Sequence, residues 1–249
     1  PSGRLEERTA PPVAVRESWA AKSIQQLKPG VWIADMGVNF GGMARYTLRG
    51  GKAGTAVKFR YGELQNKNGS VNVMTAVAGQ IKRAGMGGPG APALAEQCDT
   101  YICGGAAEES VEPRLAFHSF RYIQIEGDIA APLPGDVVAL ACSSAVADIG
   151  EFKCSDEKLN ELNRVCLRTF RSNLMGVQSD CPAREKFGYG ADIGCTVDAL
   201  FLSFDMAEFY AKTVRDFLNE ASDDGWFTET APYVGIGDRG QGKRSGPVG

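Results

Sequence analysis

Asp180-Cys181-Pro182-Ala183-Arg184-Glu185-Lys186-Phe187-Gly188-Tyr189-Gly190-Ala191-Asp192 crowds three carboxylates and an arginine into one segment between two stretches of helical period. Pro182 stiffens the chain and pushes Cys181 away from helical geometry. Gly188 and Gly190 permit backbone angles and a close approach to a ligand that other residues resist. Asp180, Glu185 and Asp192 are therefore able to aim at one pocket. Acids gathered around a guanidinium suit sugar chemistry, in which carboxylates grip hydroxyls and one of them, raised in pKa, protonates a glycosidic oxygen. The same residue types also build a salt-bridged helix start, so composition alone leaves both readings open.

On either side of this segment the apolar period is that of helices. From Ser155, Leu159, Leu162, Val165, Cys166 and Phe170 fall on one face, with Ser155 placed to cap the start and Asp156 and Glu157 in the first turn. A second helix carries Ile193, Val197, Leu200, Phe201 and Phe204. A third opens with Asp205 as cap and Glu208 three residues on, followed by Met206, Phe209, Tyr210, Val214, Phe217 and Leu218 as its stripe. These stripes are read as core packing, and the short break before the third helix predicts antiparallel neighbours.

Upstream the period is two. Tyr46 and Leu48 alternate with Arg45, Thr47 and Arg49, and Val57, Phe59 and Tyr61 with Lys58 and Arg60. Trp32-Ile33, Phe117 to Ile125 and Val137 to Ala141 add strand candidates, Gly50-Gly51 marks a turn, and the Gly/Pro-rich run from Gly85 to Pro92 reads as a surface loop. The pattern is a β-sandwich followed by helices.

The 249 residues are 43% hydrophobic and 23% charged, an ordinary globular balance with room for two cores. With 27 basic and 30 acidic side chains the net charge is −3, which offers no field for nucleic acid. No apolar stretch is long enough to span a bilayer, and Pro1-Ser2-Gly3-Arg4-Leu5-Glu6-Glu7 lacks the apolar centre of a signal peptide. Seven cysteines, without a Cys-x-x-Cys pair, form neither a zinc ribbon nor a thioredoxin-like site, so no metal is expected, and free thiols lean toward a reducing, cytoplasmic setting. Cys166 is expected to be a small buried hydrophobe and Cys181 to pack the turn of its segment. His118, the one histidine, sits in an aromatic strand pattern and is read as structural.

The segment resembles the signature of the α-L-rhamnosidases, inverting glycoside hydrolases with an Asp-Cys-Pro-x-Arg-Glu run followed by Gly-Trp-x-Gly-Asp. Here the match is Asp180 to Glu185 and then Gly188 to Asp192. A second stretch, Val111-Glu112-Pro113-Arg114-Leu115-Ala116-Phe117-His118-Ser119-Phe120-Arg121-Tyr122, is similar to the family's Glu-Pro-Arg-Phe-Thr-Phe-His-Gly-Phe-Arg-Tyr strand. The resemblance covers roughly residues 30 to 249. It implies a β-sandwich domain followed by the first helical hairpins of an (α/α)6 barrel whose loops form the active site. The expected division is 1–28 as the end of a preceding domain or a linker, 29–150 as a concanavalin-like β domain, and 151–249 as the beginning of the catalytic domain.

The resemblance also implies roles. Glu185 matches the general acid, Asp180 and Asp192 the acids that hold rhamnose hydroxyls, and Arg184 the signature arginine at the substrate. Tyr189 stands where the family shows Trp, with its ring available to stack on the apolar face of the sugar. Gly190-Ala191 in place of x-Gly bears on where Asp192 sits. The implied substrate is a rhamnose-containing glycoside or polysaccharide, and the chemistry takes no cofactor. Inversion needs a second carboxylate about 6.5–9.5 Å from the acid, and no residue here matches the family's base. Glu229 lies in an expected loop without support from the family pattern, and Trp226 beside it reads as helix-end packing ahead of a sugar platform. A carbohydrate lyase acting at rhamnose–uronate linkages and a non-catalytic sugar-binding protein are the alternatives. Absence of Met at residue 1 and an end at Gly249 within an expected folded region point to a piece of a longer protein. Such a piece is expected to expose apolar helix faces, to be poorly stable and to be inactive alone.

Overall fold

The computed structural model describes residues 7–77, 84, 92–223 and 225–235. The expected loop at 85–92 lies outside the described residues apart from Pro92, as do residues 1–6 and 246–249. The chain divides into two compact units. A β unit comprises Val15–Cys142 together with Cys181–Glu185, and a helical unit comprises the described parts of 1–14, 143–180 and 186–249.

Eight strands form one continuous sheet: β1 (Val13–Ala20), β2 (Ser23–Lys28), β3 (Val31–Arg49), β4 (Ala56–Gly62), β5 (Cys98–Ile102), β6 (Glu108–Val111), β7 (His118–Glu126) and β8 (Val137–Ser144). The order is β1-β8-β3-β7-β4-β5, with β2 and β6 also paired to β3. The two strand candidates at Trp32-Ile33 and at Tyr46 to Leu48 are one 19-residue strand, β3. Its first half pairs with β2 and β7 and its second half with β6 and β8, all antiparallel. The register with β7 breaks between Asp35 and Phe40, where Gly37 takes a positive φ of 88° and its N–H donates to the Asp35 carboxylate at 2.7 Å. Such an irregularity turns the strand and lets it serve two sets of partners.

The alternating residues of the sequence pattern are the core. Tyr46, Leu48, Val57, Phe59, Tyr61, Phe120, Ile123 and Ile125 are all buried in one cluster, and each large side chain contributes about 1.5–3 kcal/mol through burial. Tyr46 stacks on Phe59 at 3.9 Å between ring centroids. Its hydroxyl donates to that of Tyr61 at 2.8 Å, which donates in turn to Asp99 at 2.8 Å, and His118 Nε2 meets the same carboxylate oxygen at 3.0 Å. Burial pushes both phenols well above their ordinary pKa. His118 is buried and stacks on Tyr61 at 4.2 Å, a core residue as its strand pattern indicated.

Three helices build the helical unit: α1 (Glu157–Ser172), α2 (Gly190–Ser203) and α3 (Ala207–Glu220). The cap of α1 is Asp156, whose side chain accepts from Lys158 N, and not Ser155. Helix α3 starts one residue after Met206 without a side-chain cap; Asp205 Oδ1 accepts from Ala207 N, at 3.3 Å. The expected capping box is therefore not formed. Val146, Leu174, Leu200, Phe204, Met206 and Phe209 make the core, with Leu167, Phe170 and Tyr210 packed against it. Of the stripe expected on α1, only Phe170 joins this core. Leu159, Leu162, Val165 and Cys166 are exposed, which corrects the reading of Cys166 as buried. An apolar period marks a face that seeks a partner, and among the described residues the N-terminal half of α1 has none. Antiparallel packing of α2 and α3 follows from two contacts: Phe201 near the end of α2 and Tyr210 near the start of α3 have rings 5.2 Å apart, and Gly190 at the start of α2 lies beside Phe217 toward the end of α3. No helix is long and apolar enough to cross a membrane among the described residues.

Candidate active site

The signature segment is shared between the two units, Cys181–Glu185 grouping with the β unit and Asp180 and Lys186 onward with the helical one. Each half has its own supports.

In the helical unit, Asp180 N donates to Phe187 O at 3.0 Å and Phe187 N donates back to Asp180 Oδ1 at 3.0 Å. This reciprocal clasp fixes the ends of the segment and engages one of the two carboxylate oxygens. Lys186, at its base, holds φ of +62°, a region costly for a residue with a Cβ. The chain then runs extended against Glu229–Ala231: Gly190 N donates to Glu229 O at 3.0 Å, Ala231 N donates to Gly188 O at 3.0 Å, and Tyr189 faces Thr230 between them. Thr230 is fully buried, and its hydroxyl donates to Pro232 O at 3.0 Å. Tyr189 is thereby held as the N-cap residue of α2, half-buried, with its ring 6.2 Å from that of Phe187.

Asp192 falls in the first turn of α2, where the helix end favours a negative charge. Its backbone is held by a relay across the helical unit. Tyr210 OH donates to Gln178 Oε1 at 2.8 Å, Gln178 Nε2 donates to Thr196 Oγ1 at 2.7 Å, and Thr196 Oγ1 donates to Asp192 O at 2.7 Å. Burial pushes the Tyr210 phenol up to about 12.

In the β unit, Ala183 is buried and Cys181 Sγ accepts from Glu185 N at 3.2 Å, so Cys181 closes the turn as its place in the segment suggested. Arg184 is exposed, and its Nε donates to Val77 O at 3.2 Å. Glu185 is half-buried. The structure thus brings Asp180, Tyr189 and Asp192 into one unit and Arg184 and Glu185 into the other.

Two features were not anticipated. Glu229, set aside in the sequence reading, is drawn by its backbone against Gly190, though 39 positions separate them in sequence. Val77 was not singled out at all. No periodicity reports either contact, because both join irregular segments. Trp226 lies past α3, where its carbonyl accepts from Ser222 N at 2.9 Å in a turn, and its side chain is 44% exposed.

A cavity of about 480 Å³ opens between α2 and α3, lined by Ile193, Val197, Phe201, Tyr210, Phe217 and Phe227 among others. Its wall is almost wholly apolar, which suits side-chain packing better than sugar hydroxyls. Among the described residues no group of three or more His, Cys, Asp or Glu side chains is gathered for a metal ion.

Residues 25–143 match the bacterial α-L-rhamnosidase concanavalin-like domain, and residues 147–245 the bacterial α-L-rhamnosidase six-hairpin glycosidase domain. An α-L-rhamnosidase of Streptomyces avermitilis is 30% identical over 228 residues, covering 90% of this chain and 20% of the relative. One of Formosa agariphila is 29% identical over 225 residues, covering 84% of this chain and 22% of the relative. Among solved structures, the Streptomyces avermitilis α-L-rhamnosidase complexed with L-rhamnose superposes with a TM-score of 0.80 at 30% identity, over 91% of this chain and 20% of that one. The Dictyoglumus thermophilum α-L-rhamnosidase gives 0.78 at 28% identity, over 90% and 24%. The chain therefore spans about a fifth of the length of the relatives it matches. Two domain models of one family, in sequence order and together covering most of the residues, leave a single assignment: the chain belongs to the bacterial α-L-rhamnosidase family.

Proposed function

We propose that this chain supplies the general-acid side of an active site that removes terminal α-L-rhamnose from glycosides or polysaccharides with inversion. Residues 29–150 are then the greater part of the β domain, completed by β1 and β2 from within 1–28, and 151–249 the beginning of the catalytic barrel. Glu185 is the acid. As the bond from the anomeric carbon to the leaving oxygen breaks, its electron pair stays with that oxygen, which takes the Glu185 proton. A water that has lost a proton to the base attacks the opposite face, giving free rhamnose of inverted configuration and the alcohol. Asp180 and Asp192 accept from rhamnose hydroxyls, Arg184 donates to them, and the Tyr189 ring covers the apolar face. The base is not assigned to any residue of this chain, so the 249 residues by themselves are inactive.

The observation that carries this reading is the segment Asp180 to Asp192, intact in its acids and arginine and braced in the helical unit by the Asp180–Phe187 clasp and the Glu229–Ala231 strap. Relatives that this chain matches are named α-L-rhamnosidases, and one of them has been solved with L-rhamnose. The test is hydrolysis of an alkyl α-L-rhamnopyranoside, whose leaving oxygen needs the acid's proton, by the full-length protein and its Glu185→Gln variant. Loss of about 10²–10⁴-fold is expected for removal of a general acid. Absence of turnover by the folded wild type, or an unchanged rate in the variant, overturns the assignment.

A further inference from the structure

Beyond residue 142, only the turn Cys181–Glu185 groups with the β unit. Burial of Ala183 and a directional bond from Arg184 Nε to the carbonyl of Val77 help to hold it there. Val77 is fully buried and ends a short 3₁₀ turn, Val73–Ala76, that is itself rigidly built. The Asn72 side chain caps its start by accepting from Met74 N at 3.2 Å. Thr75 Oγ1 donates to Asn72 O at 2.7 Å and accepts from Glu63 N at 3.0 Å, which ties the turn to the end of β4. Asn72 N donates to Leu64 O at 2.9 Å. The turn that offers this acceptor to Arg184 is therefore tied by hydrogen bonds to Glu63 and Leu64, just past the end of β4.

We infer that Arg184 is a positioning residue for Glu185, anchoring the acid's turn to the Val73–Val77 platform of the β unit through Nε. The inference rests on the reading of Glu185 as the general acid and adds to it that the β unit sets the acid's place. A guanidinium suits two tasks at once, because Nε–H bonds the carbonyl on one edge while the two terminal amino groups point elsewhere in a rigid plane. A point-charge ammonium has no such division.

Two substitutions separate the edges of the guanidinium. Arg184→Gln puts an amide N–H at the same distance along the side chain as Nε and deletes the terminal amino groups and the charge. Arg184→Met keeps the side chain out to the level of Nε and deletes every donor. A misplaced acid hurts most when the leaving group needs its proton, so the readout is kcat for an alkyl α-L-rhamnoside against kcat for the p-nitrophenyl α-L-rhamnoside. In the full-length protein, Arg184→Met is expected to lose at least tenfold more on the alkyl substrate than on the p-nitrophenyl one, with Arg184→Gln restoring the wild-type ratio. Equal losses on both substrates in both variants, with a raised KM, would mean that Arg184 acts only on the sugar and overturn the inference. A second readout is free of catalysis: exchange of the Glu185 amide hydrogen, expected to rise about tenfold in Arg184→Met and to stay at the wild-type rate in Arg184→Gln. Unchanged exchange in Arg184→Met overturns the anchoring role whether or not the protein cleaves rhamnosides. A wild type that cleaves neither substrate while the exchange pattern holds overturns the rhamnosidase reading alone.

Discussion

Gly188 and Ala231 pass so closely that a Cβ on Gly188 would lie 2.5 Å from the Ala231 carbonyl oxygen, while Ala231 N donates to Gly188 O at 3.0 Å. The bond and the contact together fix the strap behind the signature segment. Gly188→Ala is expected to cost about 1–3 kcal/mol, as overpacking against backbone does, and to lower rhamnoside turnover in the full-length protein. Gly190→Ala is the control, since its Cβ would meet nothing nearer than the Phe217 ring, at an ordinary 3.6 Å. Urea unfolding of the two variants should show a clear shift of midpoint for the first and a change under about 0.5 kcal/mol for the second.

Tyr210 begins the relay that ends on the Asp192 backbone. Tyr210→Phe leaves the buried Gln178 carbonyl without its donor, an expected loss of about 1–3 kcal/mol. The phenol is pushed up to about 12 by burial, above the ordinary value of about 10 for an unfolded tyrosine. The folded state thus prefers the neutral phenol. Its contribution is present in full below about pH 10 and declines as pH rises through about 12. Stability measured at intervals from pH 8 upward should fall along this alkaline limb in the wild type and less steeply in Tyr210→Phe.

Arg121 grips Asp35 through two bonds, at 2.8 and 2.9 Å, and holds its carboxyl below the usual range. A lowered acid contributes stability that is present above the unfolded value of about 3.9 and is lost as pH falls through the lower folded value. Asp35→Asn removes this dependence, so the variant's acid limb should be flatter than the wild type's. An identical pH profile from 2 to 6 would contradict the role given to the pair.

Leu162 and Leu218, each 58% exposed, and Leu202, 77% exposed, lie on helix surfaces without partners among the described residues. The 249-residue chain alone is therefore expected to self-associate and to bind hydrophobic dyes. Replacing these three leucines by lysine should reduce the mass seen in light scattering while changing unfolding free energy by less than about 0.5 kcal/mol per site. Retention of the large species would show that association runs through another surface.

The period-two strands and the helices were legible because their buried faces repeat at regular spacing. Strands β1, β2, β5 and β6 were not: Arg16, Glu17 and Ser18 in the first and Gln25 and Gln26 in the second are exposed polar residues that erase the alternation, and the last two, of five and four residues, are too short to show one. The period gave the helices but not all of their buried sides: on α1 Leu167 and Phe170 pack while Leu159, Leu162 and Val165 do not, and Phe201 on α2 and Val214 and Leu218 on α3 are exposed as well. The signature acids could be located from residue order. Their supports could not, because Arg184 reaches Val77 across 107 residues and Gly190 meets Glu229 through backbone atoms, which carry no side-chain signal.

Strand β3 has a consequence for how the chain is made. Its second half, Gly42–Tyr46, pairs with β8 residues that follow roughly ninety to a hundred positions later. At about 5–20 residues per second, a ribosome takes roughly 5–20 seconds to deliver them. During that interval the nascent strand has an open edge and an uncovered apolar face, so synthesis of this protein passes through a window in which a chaperone that shields β edges would raise the yield of native chains.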